Sequence, residues 1–288
     1  MRHFKDRFTT GSRFDTLPLA VNTLLSCLRR ALQDFEGAYS MRRVLSLAAT
    51  VAICALASAA SAADSINLKV QYFDFLYRGT PSGTYGGYAG VGHPDFEYYN
   101  GGVVTGLVKP TLVNTRPVFN SRGNPVCLTS KKSLYSWFRS APGINVPIKG
   151  TLTMQNIGNN TYQYDNPYFF PLDGKGFNKD GFQSDTGFDG KEHNFSFTMH
   201  AHWTGAVTDN SQYISVTGDD DIWIFVDNKL IVDLGCIHGS STGSFTFSAV
   251  NLASLGISLG QTVPFDVFVA ERHTTGSDLK LTTNLPLP

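Results

Sequence analysis

From Ile66 onward, apolar and polar side chains alternate with a period of two in one short segment after another: INLKVQYFDFLY from Ile66, NFSFTMHAHW from Asn194, YISVT from Tyr213, SFTFSAV from Ser244, TVPFDVFVA from Thr262 and LKLTTNL from Leu279. Successive side chains of an extended strand point to opposite faces, so each segment offers one face to a core and one to water. Gly, Asn and Asp turns separate the segments at short spacing, as in a sandwich or barrel. The only short helix expected is at Leu252 to Leu259, between glycines. The expected fold is all-β, an antiparallel β-sandwich with long loops and a single domain.

One segment breaks the alternation. In GDDDIWIFVDNKLIVDLG, Gly218 to Gly235, Ile222, Ile224 and Val226 face one way while Trp223 and Phe225 face the other. A strand apolar on both faces is expected to be central and covered on each side. Asp227-Asn228 supplies the two residues most tolerant of positive φ and predicts a two-residue hairpin before the strand resumes at KLIVD. Between Asn156 and Lys191 the pattern dissolves into polar, Gly-rich text. Its aspartates, Asp173, Asp180, Asp185 and Asp189, miss the spacing of an EF-hand loop, so they are read as solvated turns packed by phenylalanines, with a calcium loop as the alternative.

The N-terminal region is read differently. Met41 opens MRRVLSLAATVAICALASAASAADS, with a basic start, an apolar run from Val44 to Leu56 and the small residues Ala60-Ser61-Ala62, the anatomy of a secretory signal peptide. The expected organisation is 1-40 as an upstream extension outside the translated signal, 41-62 as the signal peptide and 63-288 as the β-domain. A real but unstructured extension is the alternative for 1-40. After cleavage the chain would be secreted, periplasmic or extracellular, with no membrane insertion.

Charge and cysteine content follow from that cut. The whole chain is formally neutral, but from Ala63 it carries fifteen Lys and Arg against nineteen Asp and Glu, a net charge of −4. No basic stripe interleaves with aromatics, so no nucleic-acid partner is expected. Cys127 and Cys236 alone lie beyond residue 62, and in an oxidising compartment an even pair reads as a disulfide. Two separate buried thiols are the alternative.

Three consecutive carboxylates at Asp219, Asp220 and Asp221 repel one another, and a hard divalent cation would relieve that repulsion by sharing its charge among their oxygens. Calcium suits an oxygen-rich site in an extracellular setting. A solvated acidic turn with backbone capping is the bland alternative. His238 follows this hairpin, and Glu271-Arg272-His273 ends one strand while Asp278 opens the next. The pairing brings Glu271 and Asp278 to one end of the sheet, and these five residues are candidates for a ligand rim. Alternatively, Glu271 and Arg272 form a structural ion pair. Two histidines, His200 and His202, share one strand face with no third ligand evident, and are read as structural.

GDDDIWIFVDNKLIVDLG with His238, FVAERHTTGSDLKLTT from Phe268, HPDFE at His93 to Glu97, FFPLDGKGF from Phe169 and HNFSFT from His193 together resemble the fibro-slime family, a branch of the PA14 β-sandwich superfamily. The resemblance implies a PA14-like fold. In several lectin members of that superfamily an Asp-Asp pair joined by a cis peptide holds calcium, and alignment on VDNKL places that pair at Asp219 and Asp220. Asp221 falls where many such sequences have Gly, Cys236 where a second Gly is usual, and His200 where an acidic residue is expected.

The functional expectation is a secreted calcium-dependent binding module recognising carbohydrate, a glycan or exopolysaccharide, in adhesion or matrix. Tyr85, Tyr88 and Trp203 are candidates to stack on sugar faces. A structural matrix or surface protein with calcium-stiffened loops is the alternative. A glycoside hydrolase is less favoured, because a general acid works alone in an apolar pocket whereas crowding around a cation keeps carboxylates ionised.

Overall fold

In the computed structural model the described residues are 63-98, 101-122, 126-182 and 184-288, within the compact unit Ala62–Pro288. The signal sequence and upstream extension read from the sequence lie outside them. The strands are β1 (Ser65–Phe75), β2 (Gly83–Tyr85), β3 (Tyr88–Gly90), β4 (Asn145–Gly158), β5 (Thr161–Asn166), β6 (Ser184–Thr186), β7 (Glu192–Asn194), β8 (Phe197–Ala206), β9 (Tyr213–Gly218), β10 (Asp221–Val226), β11 (Lys229–Leu234), β12 (Ser241–Thr246), β13 (Thr262–Glu271) and β14 (Leu279–Thr283).

Ten of them form one antiparallel ladder in the order β11-β10-β13-β8-β1-β4-β5-β14-β9-β12. Its two ends meet: a Cβ added to Gly243 of β12 would come within 2.4 Å of Val232 Cγ1 on β11. The ladder therefore folds over into two layers, as the alternation predicts. Between the layers lies a core that includes Val70, Met199, Ile224 and Val267 from one side and Ile214, Val216 and Leu281 from the other. Each such side chain contributes about 1.5–3 kcal/mol when fully buried.

A second core covers the outer face of β10, β13 and β1. Trp223, Phe225 and Phe268 pack there against Phe96, Leu107, Trp137 and Phe138 from the irregular chain between β3 and β4. Both faces of β10 are thus buried along its whole length, as its composition requires, although it lies second from an end of the ladder and not at the centre. Asp227 and Asn228, at φ 47° and 63°, turn β10 into β11 in the predicted hairpin.

The disulfide expected from the cysteine count is present. Cys127 and Cys236, with Cα atoms 5.4 Å apart and a sequence separation of 109, tie the covering segment to the turn after β11. Cys236 sits at φ 74°, a conformation that favours glycine.

Three expectations are corrected. The strands that carry Glu271 and open at Asp278 are not paired as a hairpin: β13 pairs with β10 and β8, and β14 with β5 and β9, so the two residues approach from different parts of the ladder. The stretch after Asn156 is not all loop: β4 runs to Gly158 and β5 occupies Thr161–Asn166, joined through Asn159 and Asn160 at φ 52° and 55°. Polar Gln163 and Asp165 disguise that strand. The helix, α1, is Ala249–Leu255, three residues earlier than expected at its start. Ser248 caps its N-terminus by accepting from Asn251 N, and Gly256 ends it at φ 65°.

Candidate functional site at the paired aspartates

Register alone brings the acidic residues together. Asp221 pairs with Ala270 on β13, and Gly218 pairs with Leu279 on β14. Asp219 and Asp220, which link β9 to β10, are therefore held between the end of β13 at Glu271 and the start of β14. The Asp219–Asp220 peptide is cis.

The carboxyl groups of Asp219, Asp220 and Glu271 are anchored by main-chain amides. Asp278 N donates to Asp219 Oδ1 at 2.7 Å. His238 N donates to Asp220 Oδ1 at 3.2 Å and Arg272 N to Asp220 Oδ2 at 2.9 Å. Glu271 Oε1 accepts from His273 N at 3.2 Å, while its Oε2 is buried with no hydrogen-bond partner among the described residues. Asp278 is half-buried and accepts from Ser240 Oγ at 2.9 Å.

The electrostatics are those of carboxyl groups buried close to one another. Burial pushes the Asp219 carboxyl up to about 7, and repulsion from Asp278 adds to the rise. Burial also holds Asp220 well above the usual carboxylate range; Arg272 opposes this, while Asp221 and Asp219 reinforce it. Glu271 is raised by burial first and then by Asp220 and Asp219.

Asp221 and Arg272 form an ion pair of their own beside this cluster. Asp221 Oδ1 accepts from Cys236 N at 2.6 Å and Oδ2 from Arg272 Nε at 2.7 Å. Arg272 also donates to the carbonyls of Asp95 and Cys127 and lies over the Trp137 ring at 4.6 Å. It is fully buried, so it is not part of a ligand rim, and its ionic partner is Asp221, not Glu271. Asp221 is the acceptor of that pair.

Of the other candidates, His238 and His273 adjoin the cluster. His238 is buried, with Nδ1 against Gly239 O at 2.9 Å and Nε2 unpartnered among the described residues. Asp233, its neighbour in sequence, instead binds Trp223 Nε1 at 3.0 Å and Gly106 N at 2.7 Å. His273 lies at the rim, 3.7 Å from Glu97 Oε2. Trp203 is core, stacked on Phe265 at 5.2 Å, which removes it from the sugar-stacking candidates. Tyr85 stacks on Phe182 at 4.3 Å, and Tyr88 is 46% exposed.

Phe188 went unnoticed in the sequence. It is 82% exposed, and its N–H donates to Thr275 O at 3.1 Å. A Cβ added to Gly276 would meet Phe188 Cε2 at 3.0 Å and Asp219 Oδ2 at 3.3 Å. An apolar ring and an acidic oxygen thus flank the same glycine. Its hint was an apolar residue inside a Gly-Asp run, GFDG.

The donor set suits a hard cation: crowded carboxyl groups raised by burial first and by one another after it, and one buried oxygen with no hydrogen-bond partner among the described residues. Among the described residues, however, three His, Cys, Asp or Glu donor atoms lie within 4.8 Å of one another only at His200, His202 and Asp266. Calcium at Asp219 and Asp220 would therefore complete its shell with main-chain oxygens or water.

Residues 158–288 match the family model of the PA14 domain. Protein psiD of Dictyostelium discoideum is 40% identical over 202 residues, covering 66% of this chain and 38% of psiD. Protein psiQ of the same organism is 38% identical over 195 residues, covering 65% of this chain and 19% of psiQ. The chain thus spans well under half the length of these curated relatives. A solved structure titled as the PA14 sugar-binding domain from an RTX adhesin aligns over 43% of this chain and 71% of its own, at 15% identity and a TM-score of 0.23. By the match over residues 158–288 and its psi relatives, this all-β chain carries a PA14 domain and is a relative of the fibro-slime psi proteins.

Proposed function

We propose that the protein is an exported binding module that takes carbohydrate at the Asp219–Asp220 end of the sheet through a calcium ion, in adhesion or matrix. The observation that carries this reading is the convergence of the carboxyl groups of Asp219, Asp220, Glu271 and Asp278 at one end of the sandwich. A calcium ion there would hold the carboxylates ionised and leave coordination positions for sugar hydroxyls. Phe188 supports the reading, because an exposed ring beside the ion can pack on the apolar face of a pyranose. The PA14 match and the Cys127–Cys236 disulfide support binding and export respectively.

The test is a glycan array probed in calcium, in chelator and in calcium restored. Binding that appears, vanishes and returns supports the reading. Calcium uptake by calorimetry with no glycan bound would leave a matrix protein whose loops the ion stiffens. Absence of calcium binding would sink both.

A further inference from the structure

On the outer face of the sheet, five residues along β13 from Glu271, two neighbouring strands present a different set of donors. His200 and His202 of β8 point to one face, and Asp266 of β13 lies directly across from His202 in the register. His200 Nε2 is 2.7 Å and His202 Nδ1 2.8 Å from the same oxygen, Asp266 Oδ1. The sequence showed the two histidines but could not show the carboxylate, 64 residues after His202.

We propose that His200, His202 and Asp266 form a binding site for a divalent transition metal of the zinc class, separate from the acidic loop. Two imidazole nitrogens and one carboxylate oxygen are a donor set that zinc accepts and that calcium, which prefers oxygen alone, does not. Three protein ligands leave a fourth position for water or an exogenous ligand. Ligand atoms around tetrahedral zinc, with bonds of about 2.0 Å, stand about 3.3 Å apart, so the nitrogens need to withdraw from Asp266 Oδ1 by roughly half an ångström. Each imidazole then carries its proton on the other ring nitrogen and turns a lone pair to the metal.

The surroundings suit such a site. Asp266 is 2% exposed and His200 is 8% exposed, and the His200 ring is fixed by stacking on Phe268 with centroids 4.3 Å apart and planes at 6°. Both lie in the interior of the ladder, on strands paired on each side, where backbone movement is small. The His202 side chain is 51% exposed, which gives a metal its way in. Alongside opens a cavity of about 410 Å³ lined by Gln71, Arg116, Arg139 and Ser140 among others, and Gln71 stands opposite His200 in the β1–β8 pairing. That gives room for an anionic group at the open position.

The test uses the full chain freed of metal by chelator. Zinc is titrated by calorimetry, and cobalt is added to read the d–d absorption of an ion bound by imidazole and carboxylate. One zinc per chain is expected, with excess calcium failing to displace it. His202→Ala, a half-exposed position whose loss leaves the core untouched, should weaken zinc binding at least tenfold and abolish the cobalt bands. Asp266→Asn should do the same, while Asp220→Asn should leave both readouts as in the unmodified protein. Failure of the unmodified chain to bind zinc would overturn the assignment, as would a His202→Ala variant, folded by circular dichroism, that binds it unchanged.

Discussion

Arg272 Nε donates a 2.7 Å hydrogen bond to Asp221 Oδ2 with both side chains wholly excluded from solvent. The pair joins the end of β13 to the start of β10, and through the carbonyls of Asp95 and Cys127 it also fastens the segment that covers the outer core. Removing one member leaves the other charge buried without its partner, which costs about 3–5 kcal/mol. Arg272→Met and Asp221→Leu should each lose stability in that range by urea unfolding. The double variant Arg272→Met with Asp221→Leu should lose less than the sum, because no orphan charge remains.

Asp220 is held beside Asp219 and Asp221 with a carboxyl that burial raises well above its ordinary range. Replacing it by Asn removes a charged ligand for the proposed calcium. Calcium at a hundredfold excess over its dissociation constant should add about 2.7 kcal/mol to the unmodified protein. Scanning calorimetry with calcium and with chelator should show that gain disappear in Asp220→Asn, whose metal-free stability is not lowered. Equal loss of stability in both conditions would mean that Asp220 serves the fold alone.

Phe188 touches the same glycine as Asp219 yet is largely exposed. Phe188→Ala should leave unfolding free energy within about 0.5 kcal/mol and calcium affinity unchanged. It should weaken glycan binding by roughly tenfold, the equivalent of about 1.4 kcal/mol of ring contact. Calorimetry with the best glycan from the array measures it.

Asp74 is fully buried, accepting from Phe177 N at 2.6 Å and Asn194 Nδ2 at 2.8 Å. Burial raises its carboxyl to about 7 against those hydrogen bonds. The native state therefore keeps a proton that the unfolded chain releases near pH 4. Where the folded form binds more protons, stability falls as pH rises. Asp74 should contribute a loss of up to about 4 kcal/mol between pH 4 and 7. Urea unfolding in saturating calcium, with the Asp74 carboxyl followed by NMR, checks the slope and its midpoint.

The Cys127–Cys236 bond closes a loop of 109 residues. Constraint of an unfolded loop that long is worth about 4–5 kcal/mol in the chain-entropy model. Cys127→Ser with Cys236→Ser should lower stability by an amount of that order, and reductant should have no further effect on the variant.

Strand periodicity is a local property, since each side chain's face depends only on its neighbours. The strands at Ser65–Phe75, Tyr213–Gly218 and Thr262–Glu271 and the hairpin at Asp227-Asn228 were accordingly legible from the chain. So was the double-sided burial of β10, because a run such as IWIFV has no face to give to water. β5 was hidden, because Tyr162 and Tyr164 alternate with polar residues amid Asn and Gly. The sites lay beyond local reading for a different reason. Asp219 meets Asp278 across 59 residues, Arg272 meets Asp221 across 51, and Asp266 meets His200 across 66. Those encounters depend on ladder order and register, which place β13 between β10 and β8 and β14 against β9. Hydrogen bonding and two-sided packing choose that order collectively, so no short stretch carries it.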